Sequence, residues 1–173
     1  MRKVFFLFII IQPIFSSSET NYRTSLIIKL QRADSIKLIS HRITEGYAVT
    51  PETSIGKPII KDTSIYPLLI NDKINPKVII ESKTLSKAYR NKLVRIFDRD
   101  VWQTKMFANC DEPQHSILIY KNNKLSYIDI CFGCRRIHTS KDIDFSESNM
   151  ELQRWDDILL FFKSNSLNKL IRH

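Results

Sequence analysis

Four side chains that can do chemistry fall within one stretch of the chain: Cys110, His115, and the two cysteines of Cys131-Phe132-Gly133-Cys134. A thiolate serves as a nucleophile, a metal ligand or half of a disulfide, and each role needs a partner brought within bonding distance. Several chemistries suit the set. Zinc would take Cys110, His115, Cys131 and Cys134, a Cys-x2-Cys knuckle completed by mixed ligands, with His138 as a spare. An oxidising compartment would instead join Cys110 to Cys131 or Cys134, or close the Cys-x2-Cys pair itself, leaving one thiol over. Thiol–disulfide exchange would use Cys131 and Cys134 as a catalytic pair. Against that use, Arg135-Arg136-Ile137-His138-Thr139-Ser140 carries no apolar helical stripe, so the helix dipole that stabilises a reactive thiolate is not expected there. The two arginines still favour a thiolate. Three unpaired structural thiols are the remaining alternative. Haem attachment is excluded, because Arg135 and not histidine follows the second cysteine.

The elements around the cluster decide whether these side chains can meet. Ser116–Tyr120 and Leu125–Phe132 are apolar, β-branched runs flanking Lys121-Asn122-Asn123-Lys124. Asparagine tolerates the left-handed backbone of a tight turn, so the spacing predicts a hairpin. Antiparallel pairing sets the start of its first strand beside the end of its second, which draws Cys110 and His115 toward Cys131 and Cys134. Upstream, Ser25–Leu30 and Ser35–Ser40 are isoleucine-rich and separated by Gln31-Arg32-Ala33-Asp34, which reads as a second hairpin, with a helix through the first run as the alternative. Between His41 and Pro76, prolines and glycines interrupt short apolar pieces such as Pro58–Ile60 and Tyr66–Ile70, so edge strands or loops are expected, with His41 a surface or strand residue and Val78–Ile80 a short strand.

Two helices follow from apolar spacing. Leu85, Tyr89, Leu93, Ile96 and Phe97 share one face of a 3.6-residue repeat, capped by Ser82 or Thr84. The last helix is expected over about 149–163, opened by the capping-box pattern Ser148-x-x-Glu151, with Leu152, Trp155, Ile158, Leu159 and Phe162 facing the core and Arg154 facing solvent. The fold class is α+β: an antiparallel sheet of hairpins with two amphipathic helices packed on one face.

Bulk properties narrow the address. Arg2 and Lys3, an apolar run from Val4 to Phe15, and Ser16-Ser17-Ser18 have the order of a secretory signal over residues 1–18, and the run is too short to span a bilayer. A single α+β domain over residues 19–173 is expected, long enough for a real core. The net charge of +9 falls by two with the signal, and the basic residues are dispersed without the interleaved aromatics that stack on bases. Nucleic acid is therefore not an expected partner, whereas a protein or an anionic polymer is. Asp142, Asp144 and Glu147 could gather a cation, but no EF-hand glycine accompanies them, and hydrolase and nucleotide-binding motifs are absent.

The pattern C-x2-P-x-H, an isoleucine-rich hairpin, then I-C-F-x-C is carried by Cys110, Pro113, His115, Ile130, Cys131, Phe132 and Cys134. It resembles small exported bacterial proteins of unknown function, over about residues 77–162, and the resemblance implies no activity. The reading is an exported protein acting as a binding or interaction module rather than an enzyme, its Cys/His cluster stabilising a hairpin through zinc or a disulfide. The alternative is an extracytoplasmic thiol–disulfide oxidoreductase using Cys131 and Cys134. The mature chain is expected to begin near Glu19, with no membrane span after cleavage; intact-mass analysis of exported material checks this, and full-length cytosolic protein starting at Met1 contradicts it.

Overall fold

The computed structural model describes residues 19–42, 67–99, 112–145 and 149–169, with side chains from Ser25 onward. The expectations for residues 1–18, for Pro58–Ile60, and for Cys110, Glu147 and Ser148 lie outside the described residues. Among the described residues, seven strands and three α-helices run in the order α1 (Glu19–Arg32), β1 (Ser35–His41), β2 (Leu69–Ile70), β3 (Lys73–Ile74), β4 (Ile79–Thr84), α2 (Lys87–Phe97), β5 (His115–Lys121), β6 (Lys124–Cys131), β7 (Arg136–Thr139) and α3 (Leu152–Ser164). Five strands form one antiparallel sheet in the order β4-β1-β5-β6-β7, and β2 pairs with β3 in a small hairpin of its own.

The β5–β6 hairpin is the one expected. Its two-residue turn holds Asn122 at φ 49° and Asn123 at φ 60°, the left-handed pair that matches the twist of the strands. Asp34 grips this turn: its carboxylate accepts from Lys121 Nζ at 2.8 Å and from the Asn122 amide at 2.7 Å. The β2–β3 hairpin uses the same device, with Asn71 at φ 50° and Asp72 at φ 59°. Buried Asn75 holds its base, donating to the Pro67 carbonyl and accepting from the Lys77 amide.

The sheet has two different faces because side chains alternate along each strand. Ile36, Leu38, Ile117, Ile119, Ile128, Ile130 and Ile137 point to one side and meet Leu26 and Leu30 of α1, Leu93 and Phe97 of α2, and Trp155, Ile158, Phe161 and Phe162 of α3 in one apolar core. The opposite face carries Ile39 and Leu118, covered by Leu68, Val78 and Ile74 around the small hairpin.

Four sequence expectations are corrected. Ser25–Leu30 belongs to α1 and not to a strand, so the first hairpin does not form; Leu26, Leu30 and Ala33 recur at helical spacing and are buried, and tertiary burial of that stripe outweighs the β preference of isoleucine. The cap of α2 is Ser86, whose hydroxyl accepts from the Tyr89 amide, rather than Ser82 or Thr84, which lie in β4; Tyr89 is half exposed, and Val94 joins the buried face. Helix α3 starts at Leu152, three residues later than expected, with Glu151 at its N-cap making no side-chain cap bond. Finally, Arg154 is not on the solvent side.

Arg154 is 1% exposed. Its Nε donates to the Ile96 carbonyl at 3.2 Å, and its two terminal nitrogens donate to the carbonyls of Asn149 and Arg99. The last carbonyls of a helix have no partner within it, so a five-donor guanidinium placed there satisfies several at once and matches the negative end of the helix dipole. Arg90 of α2 does the same one helix earlier, donating to Ala33 at 2.7 Å and Asp34 at 3.4 Å beyond the end of α1. Each arginine thus fastens its own helix to the end of the preceding one. Rotation of the buried stripe of α3 toward Arg154 and Phe161 leaves Leu152 half exposed and Leu160 exposed.

Replacing Trp155 or Phe162 with alanine should cost about 3–5 kcal/mol. Arg154→Ala should cost a comparable amount, because one buried and two partly buried carbonyls lose their donor together. Urea unfolding checks this; an Arg154→Ala midpoint equal to wild type contradicts it.

Candidate functional site

The β5–β6 register places the chemistry at one end of the sheet. His115 pairs with Ile130 and Ser116 with Asp129 across the hairpin, while β6 continues to Cys131 and turns through residues 132–135 into β7, where Asp129 pairs with His138. Because side chains alternate, His115 joins Ile130 on the helix face, and Ser116, Asp129 and His138 form a row on the other.

Cys131 and Cys134 are joined in a disulfide, with 5.3 Å between their Cα atoms, and are 4% and 2% exposed. The bond closes the turn between β6 and β7. The Cys134 amide also donates to Cys131 Sγ at 3.1 Å. No helix begins at this turn; Arg135 instead takes a left-handed backbone, φ 53°, and β7 starts at Arg136. A disulfide here lacks two properties of an exchange catalyst, namely a helix amino terminus and an exposed sulfur.

Between the cysteines, Phe132 turns back into the core. Its ring lies 5.0 Å from that of His115 and 5.4 Å from that of Phe162, and His115 lies 5.5 Å from Phe162, all edge-on. This three-ring contact anchors the disulfide turn to α3. His115 is 1% exposed. Burial, helped by the charge of nearby His41 and partly offset by a hydrogen bond with the Lys169 backbone, pushes its pKa down from 6.5 to about 4. Its Nε2 has no hydrogen-bond partner among the described residues. A neutral imidazole with a bare nitrogen is the form that binds metal. Among the described residues, however, no three histidine, cysteine, aspartate or glutamate side chains gather as a cation site, and both sulfurs of the knuckle are bonded to each other. His138 is half-buried on the opposite face from His115.

The sequence reading missed a second cluster. His41 is fully buried, not a surface residue. Its Nδ1 lies 2.8 Å from the Arg42 carbonyl, which can only accept, so that nitrogen carries a hydrogen. Its Nε2 lies 3.0 Å from Asp129 Oδ1 and 2.9 Å from Ser116 Oγ, and Ser116 donates to the same carboxylate oxygen at 2.9 Å. Ser116 thus bridges the ring nitrogen and the carboxylate. A break in the β1–β4 register between Ser40 and His41 accompanies the turn of the ring toward β5. The arrangement is not a hydrolase relay: carboxylate and serine meet the same ring nitrogen, whereas a relay needs them on opposite nitrogens. It ties β1, β5 and β6 together across the sheet. The readable signal was a polar residue in phase with a covered face, Asp129 in step with Tyr127 and Leu125.

Within the acidic loop, Asp142 is engaged structurally. Asp142 accepts from Lys29 at 2.8 Å, Ser126 at 2.6 Å and Ser140 at 2.6 Å. Burial alone would raise its pKa, but these three hydrogen bonds outweigh burial and hold the carboxyl well below the usual carboxylate range. It clasps α1 to β6.

No protein family, curated protein or solved structure matches the chain.

His115 sets an acid response whose sign follows from its lowered pKa. The unfolded chain takes up this proton first, so the stabilisation is complete above pH 6.5 and is lost as pH falls toward 4, by roughly 3 kcal/mol in all. Urea midpoints measured with a chelator at pH 7.5, 5.5 and 4 should fall in that order, and His115→Leu should flatten the slope over this window. An unchanged slope in the variant contradicts the assignment.

Proposed function

We propose that this chain is an exported binding module, and that Cys131 and Cys134 act as a structural clamp on the β6–β7 turn rather than as a catalytic pair. The observation that carries the reading is the bonded and buried state of the two sulfurs, fastened to α3 through Phe132, His115 and Phe162. A clamp of this kind persists in an oxidising compartment, the address that residues 1–18 suggest. No helix among the described residues is long and apolar enough to cross a membrane.

Zinc is the second reading, favoured by the bare Nε2 of His115. It requires the disulfide to open, so that Cys131 and Cys134 join His115 and Cys110 as ligands. The resemblance to exported bacterial proteins agrees with export and adds no activity.

Thiol titration, metal analysis and urea unfolding of the same sample separate these readings. The clamp predicts one reactive thiol after denaturation without reductant, no zinc, and a lower midpoint in reductant or in Cys131→Ser. A chelator should change nothing. One equivalent of zinc with three free thiols supports the second reading and overturns the clamp. Exchange activity lost in Cys131→Ser and Cys134→Ser at an unchanged midpoint would make the pair catalytic.

A further inference from the structure

On the sheet face away from the helices, a cleft of about 620 Å³ opens between the β2–β3 hairpin and strands β1, β5 and β6. That volume lies in the range of small-molecule sites and is modest for a macromolecular surface. Its floor is apolar, built from Leu118, Leu125 and Ile74. Leu118 is buried and Leu125 and Ile74 are half-buried, so the apolar surface is recessed.

Charge marks the rim. Lys37 reaches it from β1 and Lys73 from the small hairpin, and neither makes an ion pair with a described residue. Asp72, beside Lys73, is the one carboxylate among the lining residues. Two cations and one anion leave a rim of net charge +1, which matches a singly charged anion better than a dianion, whose second charge Asp72 would repel. The Tyr120 hydroxyl adds a polar group at the same cleft, and burial raises its pKa, so it stays a neutral donor.

We propose that this cleft binds a small amphipathic carboxylate, with its head on Lys37 and Lys73 and its hydrocarbon chain on Leu118, Leu125 and Ile74. The inference deepens the binding-module reading and rests on it. Ligand affinity comes from burial of the chain, and the choice of an anion comes from two lysines that make no ion pair with a described residue.

Titration of the oxidised full chain with octanoate, followed by methyl and amide NMR, tests it. Octan-1-ol, octylammonium and inorganic phosphate serve as probes of the chain and head separately. Octanoate should move the signals of Leu118, Leu125 and Ile74 saturably, and octan-1-ol should bind about tenfold more weakly. Lys37→Gln and Lys73→Gln should each weaken octanoate about tenfold, without changing octan-1-ol binding or the urea midpoint. Equal binding of octanoate and octylammonium, tighter binding of phosphate, shifts centred elsewhere, or no saturable shift would overturn the proposal. A chain that ignores octanoate yet keeps its reductant-sensitive fold loses this ligand class alone. Exchange catalysis at Cys131 and Cys134 would remove the module reading and leave the titration result standing.

Discussion

The register of the β5–β6 hairpin constrains everything at the functional end of this protein. It is set by Asn122 and Asn123, whose left-handed backbone allows a two-residue turn, and it is held by the Asp34 carboxylate on that turn. A slip of one residue between β5 and β6 would turn the slipped strand over. With β5 held by β1, Asp129 would leave His41 and Ser116 for the apolar core, while Ile128 and Ile130 would lose their contact with the helices. The burial of those isoleucines therefore selects the same register that the turn does, and agreement between the two makes the arrangement unique.

Given that register, the two faces solve different problems. On the helix side, apolar burial drives packing, and the difficulty is what to do with helix ends that become covered. Arg90 and Arg154 meet it by donating to carbonyls at or just beyond the end of the preceding helix, so that helix-end satisfaction and helix-to-helix attachment are one interaction. On the other side, one end of the face is polar and sealed. There the hydrogen bonds among His41, Ser116 and Asp129 leave none of the three groups unpartnered, as burial of such groups requires. The small β2–β3 hairpin covers the middle of this face and leaves the cleft with Lys37 and Lys73 at its edge.

What could be read from the sequence depended on local chemistry. The Asn122-Asn123 turn, the strand expected over Ser35–Ser40, and the apolar stripes through Leu93 and through Trp155, Ile158 and Phe162 are all specified by neighbours in the chain, and all are present. The α+β class followed from them. Ser25–Leu30 was misread because isoleucine favours strands locally, and only a distant partner face, supplied by α2 and the sheet, reveals a helix. Arg154 was misread for a similar reason: a charged side chain on a helix is taken as exposed until the carbonyls it serves, two of them more than fifty residues away, are known. His41 and Asp129 are 88 residues apart in sequence, and no spacing rule joins them. The proximity of the two cysteines, by contrast, was written in their own spacing.

The Cys131–Cys134 bond sits where the hairpin, the β7 edge and α3 converge, and its role as a clamp is the centre of this account. Its reduction potential is the most direct test, measured on the native chain in glutathione and dithiothreitol buffers with the Cys131 and Cys134 thiols quantified by mass. Burial of both sulfurs, in a turn that leads into a strand and not a helix, predicts a potential below about −300 mV, as for structural disulfides of secreted proteins. A potential near −200 mV or above, with rapid equilibration in the folded state, would place the pair among exchange catalysts and contradict the clamp.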